Sequence, residues 1–212
     1  MKERQQTLGE EIANSLSHGF GAVAAVASAP ILIVAAKETG SALDVVAASI
    51  FAATMVLLYC ASTLYHAISH AALKALFKRL DHGAIFLMIA GTYTPFTLGA
   101  LNGPWGWTLF GLVWSLAVVG VLLRGFDRID HPVVSLALYL AMGWLCLIAI
   151  GPFQERVPTQ GLLLLGGGGL AYMTGVAFFT IDSRLRYGHF IWHLFVLAGT
   201  ACHFFAVLGY AA

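Results

Sequence analysis

The last apolar segment of the chain begins with Gly188-His189-Phe190-Ile191-Trp192-His193-Leu194-Phe195-Val196-Leu197. Residues four positions apart lie on the same face of an α-helix, so His189 and His193 are predicted to point at one object. Imidazole is a common zinc ligand. Two histidines at the start of a membrane-length helix also suit a simpler role, in which amphipathic side chains anchor the helix at the membrane boundary. The remaining sequence decides between the two interpretations.

The amino-acid composition is that of an integral membrane protein. Of 212 residues, 59% are hydrophobic and 10% are charged, and the mean hydropathy is +0.84. A net charge of +1 without a basic tail gives no support for nucleic-acid binding. Cys60, Cys146 and Cys202 lie in apolar runs without CxxC spacing, so we expect small core residues rather than disulfides or metal ligands. The polar N-terminus lacks the pattern of a removable signal peptide.

Seven apolar runs are long enough to cross a hydrocarbon layer about 30 Å thick, which takes about 20 helical residues. They predict an all-α integral membrane protein, a seven-transmembrane helix bundle. Short polar stretches separate the runs, so consecutive helices are expected to be neighbours. We expect the Gly166–Gly169 stretch to serve close helix packing rather than phosphate binding, because no strand precedes it. The runs are Gly19 to Ala36, Leu43 to Tyr65, Gly83 to Leu101, Trp105 to Leu123, Val133 to Gly151, Gly161 to Ile181 and Phe190 to Tyr210.

Lys and Arg are distributed unevenly between the two ends of the predicted bundle. One end carries nine of them, whereas the other carries only Lys37 and Arg156. Because basic residues favour the cytoplasmic side, this bias predicts a cytoplasmic N-terminus, an exterior C-terminus and seven crossings. Residues 1–18 would form a cytoplasmic N-terminal segment, and residues 19–212 a single seven-helix transmembrane domain. The nine are Lys2, Arg4, Lys74, Lys78, Arg79, Arg124, Arg128, Arg184 and Arg186.

Polar residues from distant parts of the sequence fall at the same, cytoplasmic end of this topology. His66 ends the second predicted span, Asp81 precedes the third, and His189 and His193 begin the seventh. Three neutral imidazoles, from His66, His189 and His193, would form a zinc site with a fourth position left for water, the arrangement of catalytic zinc. A helix-capping role for Asp81 is an alternative of equal weight.

Asp81 and Ser62 are the candidate catalytic residues. Zinc lowers the pKa of a bound water to about 7, and Asp81 would orient that water and accept its proton. Ser62 precedes His66 by four residues and shares its face of the helix, so its hydroxyl can donate to a polarised carbonyl. A bond from Ser62 to its own helix backbone is the simpler alternative. The catalytic interpretation predicts an amide or ester hydrolase whose acyl substrate enters from the bilayer.

The first predicted helix carries a polar stripe formed by Glu11, Asn14, Ser15 and His18. We interpret it in two ways. An amphipathic turn leading into the membrane is the simpler role. Alternatively, Glu11, Asn14 and His18 support the metal ligands or supply an auxiliary acid.

Four other histidines are not expected to bind the metal. His70 and His131 lie in loops and are assigned to solvent. His82 follows Asp81 directly and so points about 100° away from it on an ideal helix. His203 lies about ten residues deeper in the membrane than His193, too far from the cytoplasmic layer to be a ligand.

These polar positions resemble the motif set of the haemolysin III family. That family is the bacterial branch of the progestin and adipoQ receptor group, which includes the adiponectin receptors and in turn resembles alkaline ceramidases. The resemblance covers essentially the whole chain. The matching motifs are Glu11-x-x-Asn14-Ser15-x-Ser17-His18-Gly19, Ser62-x-x-x-His66, Asp81 after the basic loop, Gly91-Thr-Tyr-Thr-Pro-Phe96 and His189-x-x-x-His193.

The resemblance implies a multi-pass protein of the bacterial inner membrane, with zinc held by His66, His189 and His193 and a water held by Asp81. It also implies ceramidase-like lipid amidase activity, with a membrane lipid as substrate or ligand. Three functions stay open: a zinc-dependent lipid hydrolase involved in membrane lipid homeostasis, a sensor or receptor in which zinc only clamps helices, and a pore-forming or lytic haemolysin.

Overall fold

A computed structural model describes residues 4–129 and 132–211, and within them every regular element is a helix. Lys2, counted above among the nine basic residues at one end of the bundle, lies outside the described residues, as does His131, assigned above to a loop and to solvent. In chain order the elements are α1 (Leu8–Thr39), α2 (Ala42–Ala67), α3 (Ala71–Leu98), α4 (Pro104–Gly125), α5 (Pro132–Gly143), a 3-10 helix (Trp144–Ala149), α6 (Ile150–Arg156), α7 (Thr159–Ile181) and α8 (Gly188–Tyr210).

The first two helices begin at capping boxes. Thr7 and Glu10 at the start of α1 each bond the other's backbone N–H, and Ser41 and Asp44 do the same at the start of α2. These bonds satisfy amide groups that the first turn of a helix leaves without partners. Helix α1 thus begins well before Gly19, and the polar stripe predicted ahead of the membrane belongs to the same continuous helix as the first span.

Among the residues that the structure describes, six helical segments have the length and apolar composition of membrane spans, which confirms an all-α membrane protein. The remaining predicted run, Gly83 to Leu101, falls largely in α3, which is more polar than the others. Most of α3 beyond Asp81 is buried against other helices, and hydroxyls such as Thr94 donate to carbonyls of their own turn. A helix enclosed by protein can carry polar side chains that lipid would penalise. The six segments are Leu8–Glu38, Ala42–Ala67, Pro104–Gly125, Val133–Arg156, Thr159–Ile181 and Gly188–Tyr210.

The helix packing encloses α2 and most of α3, whereas α1 keeps many apolar side chains exposed. Helix α1 packs against α2 and α8, α2 against α3, α3 against α4, and α7 against α8. The α2–α3 crossing is close, because a Cβ on Gly91 would lie 2.1 Å from Thr54 Oγ1. This packing brings the end of α2, the first part of α3 and the start of α8 together around the N-terminal half of α1.

The fifth predicted span is interrupted by the 3-10 helix. At the interruption the Tyr93 hydroxyl donates to the carbonyls of Met142 (3.1 Å) and Gly143 (2.8 Å). The same oxygen accepts from the backbone N–H of Cys146 at 2.8 Å. Helix α3 thereby satisfies backbone groups that lipid could not.

The Gly166–Gly169 stretch serves close packing at only one of its four positions. A Cβ on Gly168 would lie 2.4 Å from His203 Cδ2, so α7 and α8 approach closely there. Within the described residues, the other three glycines have no neighbouring heavy atom within 4 Å of an added Cβ, and the packing interpretation is wrong for them.

Candidate metal centre

Three histidines from two helices converge at one end of the bundle. His66 lies in the last turn of α2, and His189 and His193 lie in the first two turns of α8. One nitrogen from each ring falls within 4.8 Å of the nitrogens from the other two. The i, i+4 spacing places two of these rings on one face of α8. Helix α1 packs against both α2 and α8 and brings the third ring close to them. Together the three rings form a set of donors that can hold a metal ion.

Each of these imidazoles is held through Nδ1 by an oxygen. His66 Nδ1 lies 2.7 Å from Glu11 Oε2, and His189 Nδ1 lies 3.1 Å from Asp182 Oδ2. Because a carboxylate oxygen can only accept, both Nδ1 atoms carry the proton and donate. Their Nε2 atoms are then the unprotonated nitrogens that a metal requires.

His193 is held in the same way by α1. Its Nδ1 lies 3.2 Å from the Asn14 carbonyl and 3.1 Å from Ser17 Oγ. The Ser17 hydroxyl donates its own proton to the Asn14 carbonyl at 2.9 Å, so its oxygen is free to accept from His193. All three rings therefore present Nε2. This is the usual arrangement around protein zinc, in which an outer oxygen fixes the orientation of each ring.

A buried ring nitrogen of His66 indicates that the three histidines fit a metal ion. Within the described residues, His66 Nε2 makes no hydrogen bond, although it is shielded from solvent. A buried polar atom without a partner is unfavourable, and a metal ion would satisfy it. Three neutral imidazole nitrogens are also a ligand set that suits zinc. The residues present therefore fit the metal that the sequence predicts.

A fourth imidazole, His18, lies directly beside the three. Its ring stacks on His193 with centroids 3.5 Å apart and planes inclined by 6°. Its Nδ1 lies 2.7 Å from Ser62 Oγ, and its buried Nε2 has no partner among the described residues. His18 thus holds both a candidate ligand and a candidate catalytic hydroxyl.

Asp81 and Ser62, the candidate catalytic residues, lie beside the histidines. The Asp81 carboxyl is buried near the start of the enclosed part of α3 and interacts with the Ser62 hydroxyl. It also lies within electrostatic reach of His189 and Arg124. The hydroxyl of Ser62 contacts His18 as well, so Ser62 is the link between α1 and the carboxyl group on α3.

The supporting residues predicted on α1 all approach the cluster, each through a different group. Glu11 contacts His66 through its carboxylate, Asn14 contacts His193 through its backbone carbonyl, and His18 contacts His193 through its ring face. The side-chain nitrogen and oxygen of Asn14 are buried without hydrogen bonds among the described residues. Ser15 lies apart from the ligands and donates to the Thr63 carbonyl at 3.3 Å.

Two residues that hold the histidines are not predicted from the sequence. Asp182 holds His189 from the loop between α7 and α8, and Ser17 holds His193 from α1. Helical spacing gives no information on a loop residue such as Asp182. Ser17 does fall within the motif segment that ends at Gly19, and this is the one signal in the sequence that pointed to it.

The other described histidines lie outside the candidate centre. His70 is exposed at the start of α3, and His82 contacts the guanidinium of Arg124. His203 Nε2 donates to the Leu165 carbonyl at 3.2 Å, between α7 and α8. Their exclusion as ligands stays a prediction.

Apolar helices around a buried histidine cluster define a multi-pass membrane protein with a candidate metal centre. Comparison with known proteins identifies the family. Residues 6–204 match a family model described as Haemolysin-III related. The chain belongs to the haemolysin III family, as its motifs predict, and is a multi-pass bacterial membrane protein.

Individual relatives agree with this assignment. "Hemolysin-3" of Bacillus cereus is 45% identical to this chain, over 99% of this chain and 95% of that protein. "Hemolysin-3 homolog" of Bacillus subtilis (strain 168) is 44% identical, over 96% and 95% respectively. The human "Monocyte to macrophage differentiation factor" is 28% identical, over 96% of this chain and 85% of that protein.

Proposed function

We propose that the chain is a zinc-dependent hydrolase that cleaves amide or ester bonds of membrane lipids. The observation that carries the proposal is the convergence of three imidazoles, each oriented through Nδ1 by an oxygen, next to a buried carboxyl group and a serine hydroxyl. Structural metal sites in proteins usually have four protein ligands, whereas catalytic zinc sites have three. Three histidines therefore favour a catalytic role.

His66, His189 and His193 would hold the zinc ion through Nε2. Zinc bound there would supply a Lewis acid that polarises the lipid carbonyl and makes water acidic enough to react near neutral pH. Glu11 and Asp182 keep the His66 and His189 rings turned toward the ion by accepting hydrogen bonds from their Nδ1–H groups.

Asp81 and Ser62 would perform the proton transfer and the charge stabilisation. Asp81 is the candidate general base: its carboxylate takes a proton from the attacking water and returns it to the leaving nitrogen or oxygen. The Ser62 hydroxyl donates a hydrogen bond to the carbonyl oxygen as negative charge develops on it. His18 orients Ser62 by donating to its oxygen from Nδ1, and the serine proton, which Asp81 accepts before a substrate binds, would turn to the lipid carbonyl.

We also propose seven crossings with a cytoplasmic N-terminus. The excess of Lys and Arg at one end of the bundle supports this orientation. Helix α3 would be the third crossing and bring the total to seven, because it lies between α2 and α4, both of which have the composition of membrane spans. The metal centre would then face the cytoplasm. Reporter fusions after Ala67 and after Gly125 should both report a cytoplasmic location, and opposite locations would contradict this topology.

The hydrolase proposal is tested with purified protein and defined lipids. N-acyl lipid amides and acyl esters are presented in mixed micelles, and released fatty acid is measured by mass spectrometry. We expect release from at least one class, loss of release after chelation, and recovery on addition of Zn²⁺. A zinc-loaded protein that cleaves neither class in matched micelles would contradict the hydrolase proposal.

Two other functions have a specific observation in their favour. The zinc ion would connect α2 with α8, so a sensor or receptor could use it only as a clamp. The name of the Bacillus cereus relative favours a lytic factor. Discrete conductance by the purified protein in planar bilayers, absent from bilayers that receive detergent alone, would favour pore formation over hydrolysis.

A further inference from the structure

A buried carboxylate near the start of α1 is hydrogen-bonded to the residue that precedes α8. The Glu10 side chain is completely enclosed, with 0% of its surface exposed. Its Oε1 accepts a hydrogen bond from the backbone N–H of Tyr187 at 2.9 Å, although the two residues are 177 positions apart in the sequence. Arg4 donates to the same carboxylate from Nη1 at 3.0 Å and from Nη2 at 2.5 Å. Thr7 donates two further hydrogen bonds to this carboxylate, from its backbone N–H and from its hydroxyl group.

Tyr187 has a backbone conformation that needs support. Its φ of 60° and ψ of 16° place it in the left-handed region, which is uncommon for residues other than glycine. Tyr187 is the residue before α8, so its conformation sets the direction in which Gly188 and His189 leave. The tyrosine hydroxyl also lies against α1, because a Cβ on Gly9 would lie 3.0 Å from its oxygen. Helix α1 therefore bonds the backbone of Tyr187 and adjoins its hydroxyl group.

The loop that Glu10 holds also carries Asp182, the partner of His189. A Cβ on Gly188 would lie 2.9 Å from Asp182 Cα, so this loop folds tightly against the start of α8. Arg4 interacts with both acidic residues. Its hydrogen bond to Glu10 raises the pKa of the guanidinium, and the charge of Asp182 raises it further. The Glu10 carboxylate and Arg4 thus hold the backbone just before α8 and place positive charge near the carboxylate that orients the His189 ring.

We propose that Glu10 is a positioning residue for the metal centre. By fixing Tyr187 it sets the start of α8, and through α8 it aims His189 at His66 and His193. Glu10 acts through the backbone and touches none of the three ligands. Its effect on metal affinity rests on the proposed function, whereas its effect on the order of α8 does not require a metal.

Glu10→Gln is the informative substitution. Glutamine keeps the length of the side chain but replaces one acceptor oxygen with an NH2 group, which can only donate. The donors from Arg4, Thr7 and Tyr187 can then no longer all be satisfied. Glu155→Gln is the matched control, because Glu155 is an exposed carboxylate on α6, far from the cluster in the sequence.

The first measurement uses metal-free, full-length protein. Hydrogen exchange is followed in peptides that cover residues 182–193. We expect these amides to exchange about tenfold faster in Glu10→Gln than in the wild type, because α8 loses a bond that orders its first turn, and to be unchanged in Glu155→Gln. Unchanged exchange in Glu10→Gln would overturn the proposal, whether or not the protein binds zinc.

The second measurement separates positioning from simple stabilisation. Zinc affinity is determined by competition with a chromophoric chelator, and we expect Glu10→Gln to raise the Kd about 10- to 100-fold. A purely structural role would lower the melting temperature of the metal-free and zinc-bound forms equally and leave the Kd unchanged, which would overturn the proposal. If Glu10→Gln does not fold, Arg4→Gln replaces it, with a smaller shift in Kd expected and an unchanged Kd again decisive. A wild type that binds no zinc would instead contradict the proposed function.

Discussion

The Glu11 carboxylate lies 2.7 Å from His66 Nδ1 and accepts a hydrogen bond from its N–H, so a residue on α1 orients a ring at the end of α2. The other oxygen of Glu11 lies 3.0 Å from Lys74 Nζ, at the start of α3. Three helices therefore meet at one carboxylate. A metal centre at this position would depend on α1 although none of its three candidate ligands belongs to that helix.

Replacing Glu11 should weaken zinc binding without removing a ligand. We expect Glu11→Gln to raise the zinc Kd about 10- to 100-fold, because the amide no longer holds the Nδ1–H of His66 with a full negative charge. Chelator competition measures the change. Glu38→Gln, an exposed carboxylate at the opposite end of α1, is the control and should bind zinc like the wild type. Equal affinity in the two variants would show that Glu11 does not support the metal.

Asp81→Asn should separate catalysis from metal binding. Asparagine keeps the size of the side chain but cannot accept a proton at neutral pH, so we expect zinc to be retained and lipid turnover to fall by about 10²- to 10⁴-fold. Zinc content and fatty-acid release are measured on the same preparation. Undiminished turnover would remove Asp81 from the mechanism, and an intact cellular phenotype without turnover would favour the sensor alternative.

The Ser62 hydroxyl should contribute to turnover as well as to stability. Ser62→Ala removes the acceptor for His18 Nδ1, which we expect to lower the free energy of unfolding by about 1–3 kcal/mol. Loss of the donor to the carbonyl should lower turnover by about 10²- to 10³-fold. Ser49→Ala is the control, because Ser49 lies on the same helix and donates only to its own helix at Val45. The prediction fails if Ser62→Ala and Ser49→Ala have the same turnover.

The close crossing of α2 and α3 should not tolerate a side chain at Gly91. A Cβ there would lie 2.1 Å from Thr54 Oγ1 and 2.9 Å from Thr54 Cβ, so the helices must separate. We expect Gly91→Ala to lower the free energy of unfolding in detergent by about 1–3 kcal/mol. Gly111→Ala is the control, because no described heavy atom lies within 4 Å of a Cβ at that position on α4. It should be neutral or slightly stabilising, and equal loss in both variants would contradict the packing.

The candidate ligands could be predicted from the sequence because helical spacing, apolar runs and basic residues can all be recognised directly in it. The i, i+4 spacing placed His189 and His193 on one face, and the apolar runs placed His66 at a helix end. The distribution of basic residues predicted that this end and the start of α8 share one side of the membrane. The structure confirms that these three histidines converge, whereas the metal itself stays a prediction.

The surroundings of the ligands do not follow from such patterns. Asp182 reaches His189 because its loop folds tightly under Gly188, and Glu10 reaches Tyr187 because α1 and α8 pack side by side. Both contacts depend on tertiary packing rather than on periodicity. The same reason applies to Gly168, since only the register of α7 against α8 decides which of four consecutive glycines faces a neighbour.

The zinc content of purified protein tests the central claim most directly. Elemental analysis is compared between the wild type, a His189→Ala, His193→Ala double variant and His203→Ala, which removes a histidine of α8 that lies outside the cluster. We predict about one zinc ion per chain in the wild type and in His203→Ala, and none in the double variant. Full zinc occupancy in the folded double variant, or no zinc in the wild type after purification with added Zn²⁺, would contradict the account.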